Sequence, residues 1–277
     1  MTDTASHPDD HQAEEEVRSE YHEIRDEGSE RLHRSWRALI ATGLLGGSEI
    51  GLGVLAYIAT LDATDSHLLA GLAFSIGLVA ILLAHSELFT EGFLYPVTGV
   101  LAGEGSVGQL LRLWGITLVT NLVGGWLVMW LVVLGFPDLH TTLVETARHF
   151  VEVPLSAKGA ALALLGGLVI TLMTRMHAGS ESDFGKITAS VVCGFLLAGL
   201  SLFHSVLDSI IIFGAQHTGA EGVGWSAWWN WFWWTAVLNV VGGVVGVTAP
   251  RVARASEVHT DPAEACGPPA PRLSRVR

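Results

Sequence analysis

The sequence predicts an all-α polytopic membrane protein: six transmembrane helices in an inverted 3+3 repeat, with helices 2 and 5 interrupted. Three observations carry this. Of 277 residues 50% are hydrophobic and 15% charged, with 32 glycines, and a mean hydropathy of +0.45 is too apolar for a soluble domain of this length. The apolar residues gather in runs close to the ~20 that a helix needs to cross a bilayer. Short matching segments then recur, in the same order, in the two halves of the chain.

Residues 1–36 are polar and read as an acidic cytoplasmic N-terminal segment. Asp3 to Glu30 holds 11 of the 27 acids, so much of the formal charge of −12 belongs to this stretch. It lacks the basic start and apolar core of a signal peptide. Its last part reads either as a surface helix, with Arg31, Arg34 and Arg37 at helical spacing and Trp36 as an interfacial anchor, or as a solvated tail.

The transport domain is expected over 37–250, with repeats at 37–135 and 156–250. Span one, about 38–60, carries Gly43, Gly46, Gly47, Gly51 and Gly53, which let neighbouring helices approach closely, and a lone acid, Glu49. Span two runs from Leu68 to Ala84, stops at His85-Ser86-Glu87, and resumes from Phe93 to Ala102 before a Gly-rich turn. Span three covers about 110–134. The connection to Pro154 is expected to form a short amphipathic helix outside the membrane. Span four covers 156–176. Span five opens at Lys186, breaks at Phe203-His204-Ser205 and resumes through Phe213. A Trp-rich belt from Trp225 to Trp234 starts span six, which ends at Pro250, and 251–277 form a cytoplasmic tail. The two cysteines, Cys193 and Cys266, make no disulfide framework.

Three pairs define the duplication. Leu44-Leu45-Gly46-Gly47 matches Leu164-Leu165-Gly166-Gly167, His85-Ser86 matches His204-Ser205, and Asn121-Leu122-Val123-Gly124-Gly125 matches Asn239-Val240-Val241-Gly242-Gly243, at spacings of 120, 119 and 118 residues. A unit of three spans inverts its second copy. Substrate paths in such proteins lie at the repeat interface, beside discontinuous helices, so the two breaks are expected to meet at the centre from opposite sides. Lys and Arg are absent from 38–111 and 187–250; the basic residues that remain place both termini in the cytoplasm of a multi-pass inner (plasma) membrane protein.

Ser86-Glu87-Leu88-Phe89-Thr90 and Phe203-His204-Ser205, with the Gly-rich first span and the two Asn-x-x-Gly-Gly segments, resemble the formate/nitrite transporter family over about residues 38–250. The resemblance implies an aquaporin-like protomer in a homopentamer, one pore per protomer, passing small monovalent anions such as formate, nitrite or hydrosulfide. By the same resemblance His204 is the central histidine and Thr90 its hydrogen-bond partner. Phe74, Leu78 and Phe89 form apolar constrictions on either side, Leu197 stands where a phenylalanine is frequent, and Asn121 and Asn239 are the paired asparagines.

The chain departs from the pattern at Asp208, commonly asparagine, at Glu49, and at Glu91-Gly92, while Lys158 lies about a turn from the expected lysine. A buried histidine between constrictions can protonate a passing weak-acid anion, which then crosses neutral and avoids the cost of a bare charge in a dry pore. Against this, His204 and His85 also read as structural histidines, Thr90 as a helix cap, and Glu87 as a ligand of backbone N–H groups. Glu49 and Asp208, as intramembrane acids, read either as pore residues or as partners of His204 or a neighbouring protomer. The acids leave open a cation or a neutral weak base such as ammonia as solute. No nucleophile–base–orienter set or metal-ligand cluster indicates an enzyme. Cofactor, metal and nucleic acid are not expected; the partners are a small monovalent ion or weak acid, membrane lipid and further copies of the chain.

Overall fold

Five helices begin at a serine whose hydroxyl accepts a backbone N–H three residues on: Ser35, Ser66, Ser106, Ser156 and Ser182. Each cap satisfies one of the N–H groups that the first turn leaves without a partner. The structure, a computed structural model, describes the backbone of residues 8–260 and the side chains of 17–255. The first seven residues and 261–277, with Cys266 and most of the expected C-terminal tail, lie outside the described residues.

The helices in chain order are α1 (Pro8–His33), α2 (Trp36–Thr64), α3 (His67–Ala84), α4 (Tyr95–Leu101), α5 (Val107–Gly135), α6 (His140–Val151), α7 (Ala157–Ala178), α8 (Asp183–Gly199), α9 (Leu207–His217), α10 (Trp225–Gly243) and α11 (Ala249–Thr260). Five stretches are long and apolar enough to cross a membrane: α2, α3, α5, α7 and Trp225–Ala255. The chain leaves the helical path between α3 and α4, with a 3-10 turn at Phe89–Phe93, and again between α8 and α9, at the two breaks expected from the sequence.

Glycines set the packing. A Cβ on Gly47 would run into the Asn121 backbone, and one on Gly124 into the Leu44 carbonyl, so α2 and α5 touch backbone to backbone. The second half repeats the arrangement, with Gly167 against Asn239 and Gly242 against Leu164. α3 packs on α8 between the halves. α6 lays Leu143, Thr146, Ala147 and Phe150, one helical face, against the core beside α9.

Two expectations are corrected. Residues 17–33 are not a solvated tail: α1 buries Ile24 and Leu32 and packs along α4, where Gly28 leaves no room for a side chain beside the Tyr95 carbonyl. The helix of span six does not stop at Pro250. A π-turn over Val244–Thr248 leads directly into α11, so the helix continues past the proline.

Candidate functional site

Both breaks are built the same way. α3 ends at His85 and α8 closes at Ser201, each in the left-handed region, with φ of 54° and 50°. The residue after each returns its N–H to the helix: Ser86 to the Ile81 carbonyl at 3.1 Å and Leu202 to the Leu197 carbonyl at 2.9 Å. The next N–H crosses to the first helix of the same half, Glu87 to Thr42 and Phe203 to Leu162. His85 therefore corresponds to Ser201, and not to His204 as the His-Ser match had it. The register is three residues off because the left-handed turn and these crossing bonds define it, not the identity of the side chains.

The paired asparagines clamp the breaks. Asn121 donates through Nδ2 to the carbonyls of Gly43 and Glu87, both at 2.8 Å, and its Oδ1 accepts the Phe89 N–H at 2.8 Å. Asn239 donates to Ala163 and Phe203 at 2.7 and 2.9 Å and accepts from Ser205 at 2.8 Å. Both side chains are thus directed at backbone, and at each break they satisfy one carbonyl and one N–H that would otherwise lie unpaired in an apolar interior.

The two breaks meet at His204 and Thr90, whose Nε2 and Oγ1 are 2.9 Å apart and fully buried. The Leu207 N–H donates to Nδ1 at 3.1 Å. A nitrogen that accepts an N–H carries no proton, so the neutral ring has its hydrogen on Nε2 and donates it to Thr90. The Thr90 hydroxyl hydrogen remains available to a third group. Asp208, in the first turn of α9, accepts the His204 backbone N–H at 2.8 Å; it serves the loop rather than the imidazole.

Around this contact Phe74, Leu78, Phe89 and Leu197 are all buried in one apolar core. Phe89 sits edge-on to Phe93 and Trp114, with centroids 5.2 and 6.2 Å away. On one side a cavity of about 800 Å³ opens between α1, α3, α7 and α8, lined by Arg31, Arg34, His85, Glu91, Tyr95 and Lys186 among others. On the other, a cavity of about 470 Å³ is lined by Tyr57, Asp62, His67, Glu145 and His149. It shares Tyr57, Phe150 and Ser201 with a narrow pocket that reaches Leu197, Leu207 and Asp208. Neither large cavity reaches Thr90 or His204, so the stretch between them is closed.

The acids take different roles. Glu87 does not bind backbone N–H groups with its side chain. Its carboxylate, 1% exposed, pairs with Arg31 at 3.4 Å and with Arg34, because the last turn of α1 and the residue just after it deliver two guanidinium groups to the loop. Burial opposes the Arg31 charge, but Glu87 and Glu27 outweigh it and raise its pKa above the ordinary value. Glu49 accepts from Ser86 at 3.0 Å rather than pairing with His204, and its second oxygen is buried without a hydrogen bond. Glu91, 7% exposed, lines the larger cavity, and its carboxyl makes no hydrogen bond or ion pair among the described residues. In the opposite cavity burial, His67 and Lys158 hold His149 below the ordinary imidazole value, while Glu152 pulls the other way.

Sequence reasoning missed Tyr57, Phe150, Ser201 and Trp114. Tyr57 hydrogen-bonds His67 at 3.0 Å, and Trp114 holds the Gly92 carbonyl at 2.8 Å. Trp114 had one signal, an indole inside an apolar span, where its N–H needs an acceptor; Ser201 had none.

A family profile described as formate/nitrite transporter matches residues 18–253. The inner membrane protein YfdC of Escherichia coli K12 is 25% identical over 237 residues, covering 81% of this chain and 73% of YfdC. The nitrite transporter NirC of Salmonella typhimurium LT2 is 34% identical over 214 residues, covering 73% of this chain and 77% of NirC. A solved structure described as a pentameric formate channel with formate bound shares the fold, with a TM-score of 0.65 at 20% identity over 80% of this chain and 99% of that one.

Proposed function

Because the chain belongs to the formate/nitrite transporter family, whose named relatives are transporters and not enzymes, we propose that it is a channel or proton-linked transporter for small monovalent weak-acid anions, formate or nitrite among them, with His204 at the centre of its path. The six spans form an inverted 3+3 repeat, the protein assembles as a homopentamer with one path per protomer, and both termini face the cytoplasm. The observation that carries this reading is the His204–Thr90 hydrogen bond, which joins the two helix breaks inside a closed apolar stretch between two cavities. A weak acid crosses such a stretch more readily as the neutral molecule, since an unpaired charge in a dry interior is costly. The Thr90 hydroxyl and the imidazole N–H are the polar groups that meet it there. Phe74, Leu78, Phe89 and Leu197 keep water out, and Asn121, Asn239 and Asp208 hold the loops that present the pair.

The deciding experiment is a flux panel on purified protein in liposomes, with formate and nitrite compared with ammonium and potassium across pH. Anion flux that rises as pH falls in the wild type, with that dependence lost in His204→Ala, is the expected result; no anion flux at any pH refutes the reading. One pair of observations favours a second solute class: the Glu91 carboxyl lines the larger cavity without a hydrogen bond or ion pair among the described residues, and Glu49 leaves one oxygen unbonded. Ammonium flux without anion flux selects that alternative, a cation or neutral weak base carried by the same fold.

A further inference from the structure

Away from the path, a third cavity of about 540 Å³ lies between α1, α7 and the start of α11, lined by Val17 and Glu20, by Leu168, Leu172 and Arg175, and by residues from Gly246 to Arg254. Three guanidinium groups, those of Arg175, Arg251 and Arg254, face a single carboxylate, Glu20. Glu20 is already committed. It pairs with Arg251, which also donates to the Val17 carbonyl at 3.3 Å, and stands 3.8 Å from the Nε of Arg175. The Nε hydrogens of Arg175 and Arg251 are both buried and have no acceptor, and Arg251 is only 7% exposed. Buried guanidinium N–H groups without acceptors are costly, and a tetrahedral anion with several oxygens is the ligand whose geometry suits two or three arginines at once.

The walls say where that anion comes from. Leu168, Leu172 and Val247 make part of the lining apolar. The surface beside it, with Leu165, Leu172, Met176, Val241 and Val245 outward, is apolar too. A free ion gains nothing from such walls, whereas a phospholipid brings acyl chains that cover them. We infer that this cavity seats the phosphate of an anionic phospholipid in the leaflet on the α1 side. Basic pockets between membrane helices recognise lipid headgroups in this way. The lipid bridges the first half of α1 to α7 and α11, while Arg31 and the adjoining Arg34 tie the C-terminal end of α1 to the loop that carries Thr90.

The test uses the full-length protein, delipidated in detergent, with phosphatidylglycerol, phosphatidylcholine or inorganic phosphate added back. Thermal stability and lipid retention in native mass spectra are the readouts. Arg175→Gln with Arg254→Gln leaves the Arg251–Glu20 pair in place; Arg254→Gln alone, at an exposed position, guards against misfolding of the double variant. The wild type should retain phosphatidylglycerol and gain stability from it, with little effect of the other two. The double variant should bind it roughly thirty-fold more weakly, and the single variant should fall between. Equal stabilisation by phosphatidylcholine, full stabilisation by inorganic phosphate, or an unchanged response of both variants overturns the inference. So does a change of assembly size in the variants without any lipid effect, which would assign the cavity to contact between copies.

Discussion

Replacing Asn239 with alanine tests the loop architecture directly. The side chain makes three buried hydrogen bonds, to the carbonyls of Ala163 and Phe203 and from the N–H of Ser205. Alanine strands the Phe203 carbonyl and the Ser205 N–H inside an apolar core, while the Ala163 carbonyl, inside α7, keeps its helical bond. Each stranded group costs about 1–3 kcal/mol, so the expected loss is about 2–6 kcal/mol. At about 2–4 °C per kcal/mol for a chain of this size, the apparent midpoint should drop by about 4–24 °C. The functional effect should be larger than the stability loss alone implies. Ser205 follows His204, so any shift of the loop opens the 2.9 Å contact with Thr90 and anion flux in liposomes should fall with it. Val237→Ala, on the exposed face of the same helix, is the control and should cost well under 1 kcal/mol. If Asn239→Ala loses under about 1 kcal/mol and keeps wild-type flux, the asparagine is not what holds the break, and the reasoning from backbone satisfaction is wrong.

Thr90→Val keeps the shape but removes the acceptor of the His204 Nε2–H; flux at fixed pH should fall about tenfold or more, and unchanged flux would remove Thr90 from the path. Glu87→Gln leaves Arg31 and Arg34 facing a neutral amide. A loss of about 3 kcal/mol should appear as faster hydrogen exchange along residues 17–33, with the rest of the protein protected. His149 is held below its ordinary value in the folded protein, chiefly by burial, so the unfolded chain binds its proton at higher pH. Stability therefore rises with pH across the window below about 6.5, and His149→Gln should flatten that part of the melting-temperature profile.

Much of the fold was legible because its causes are local. Apolar runs of membrane length, glycine at contact positions and polar residues inside those runs are all written along the chain, and the five capping serines mark the starts of five helices. Local matching failed where a three-dimensional constraint overrode it. His85-Ser86 and His204-Ser205 look alike, yet the first pair sits at the helix end and the second lies beyond it, because the left-handed residue and the crossing N–H groups set the register. Glu87 was misread for a related reason. Its partners lie at the C-terminal end of α1 and just beyond it, more than fifty residues earlier, and nothing in a polar segment announces which face will dock.

Hydrophobic patterning therefore determined that this is a membrane protein, and the polar interruptions and matched segments along the chain pointed to two breaks in it, since burial of apolar surface and the need to satisfy backbone polar groups act on short stretches. Only the folded chain decided which residues meet: His204 with Thr90, and Glu87 with Arg31 and Arg34 at the end of α1, while Glu91 makes no hydrogen bond or ion pair among the described residues. Such pairings depend on how separate helices close on one another, and the free energy of a buried charge or hydrogen bond is set by what faces it rather than by its neighbours in sequence.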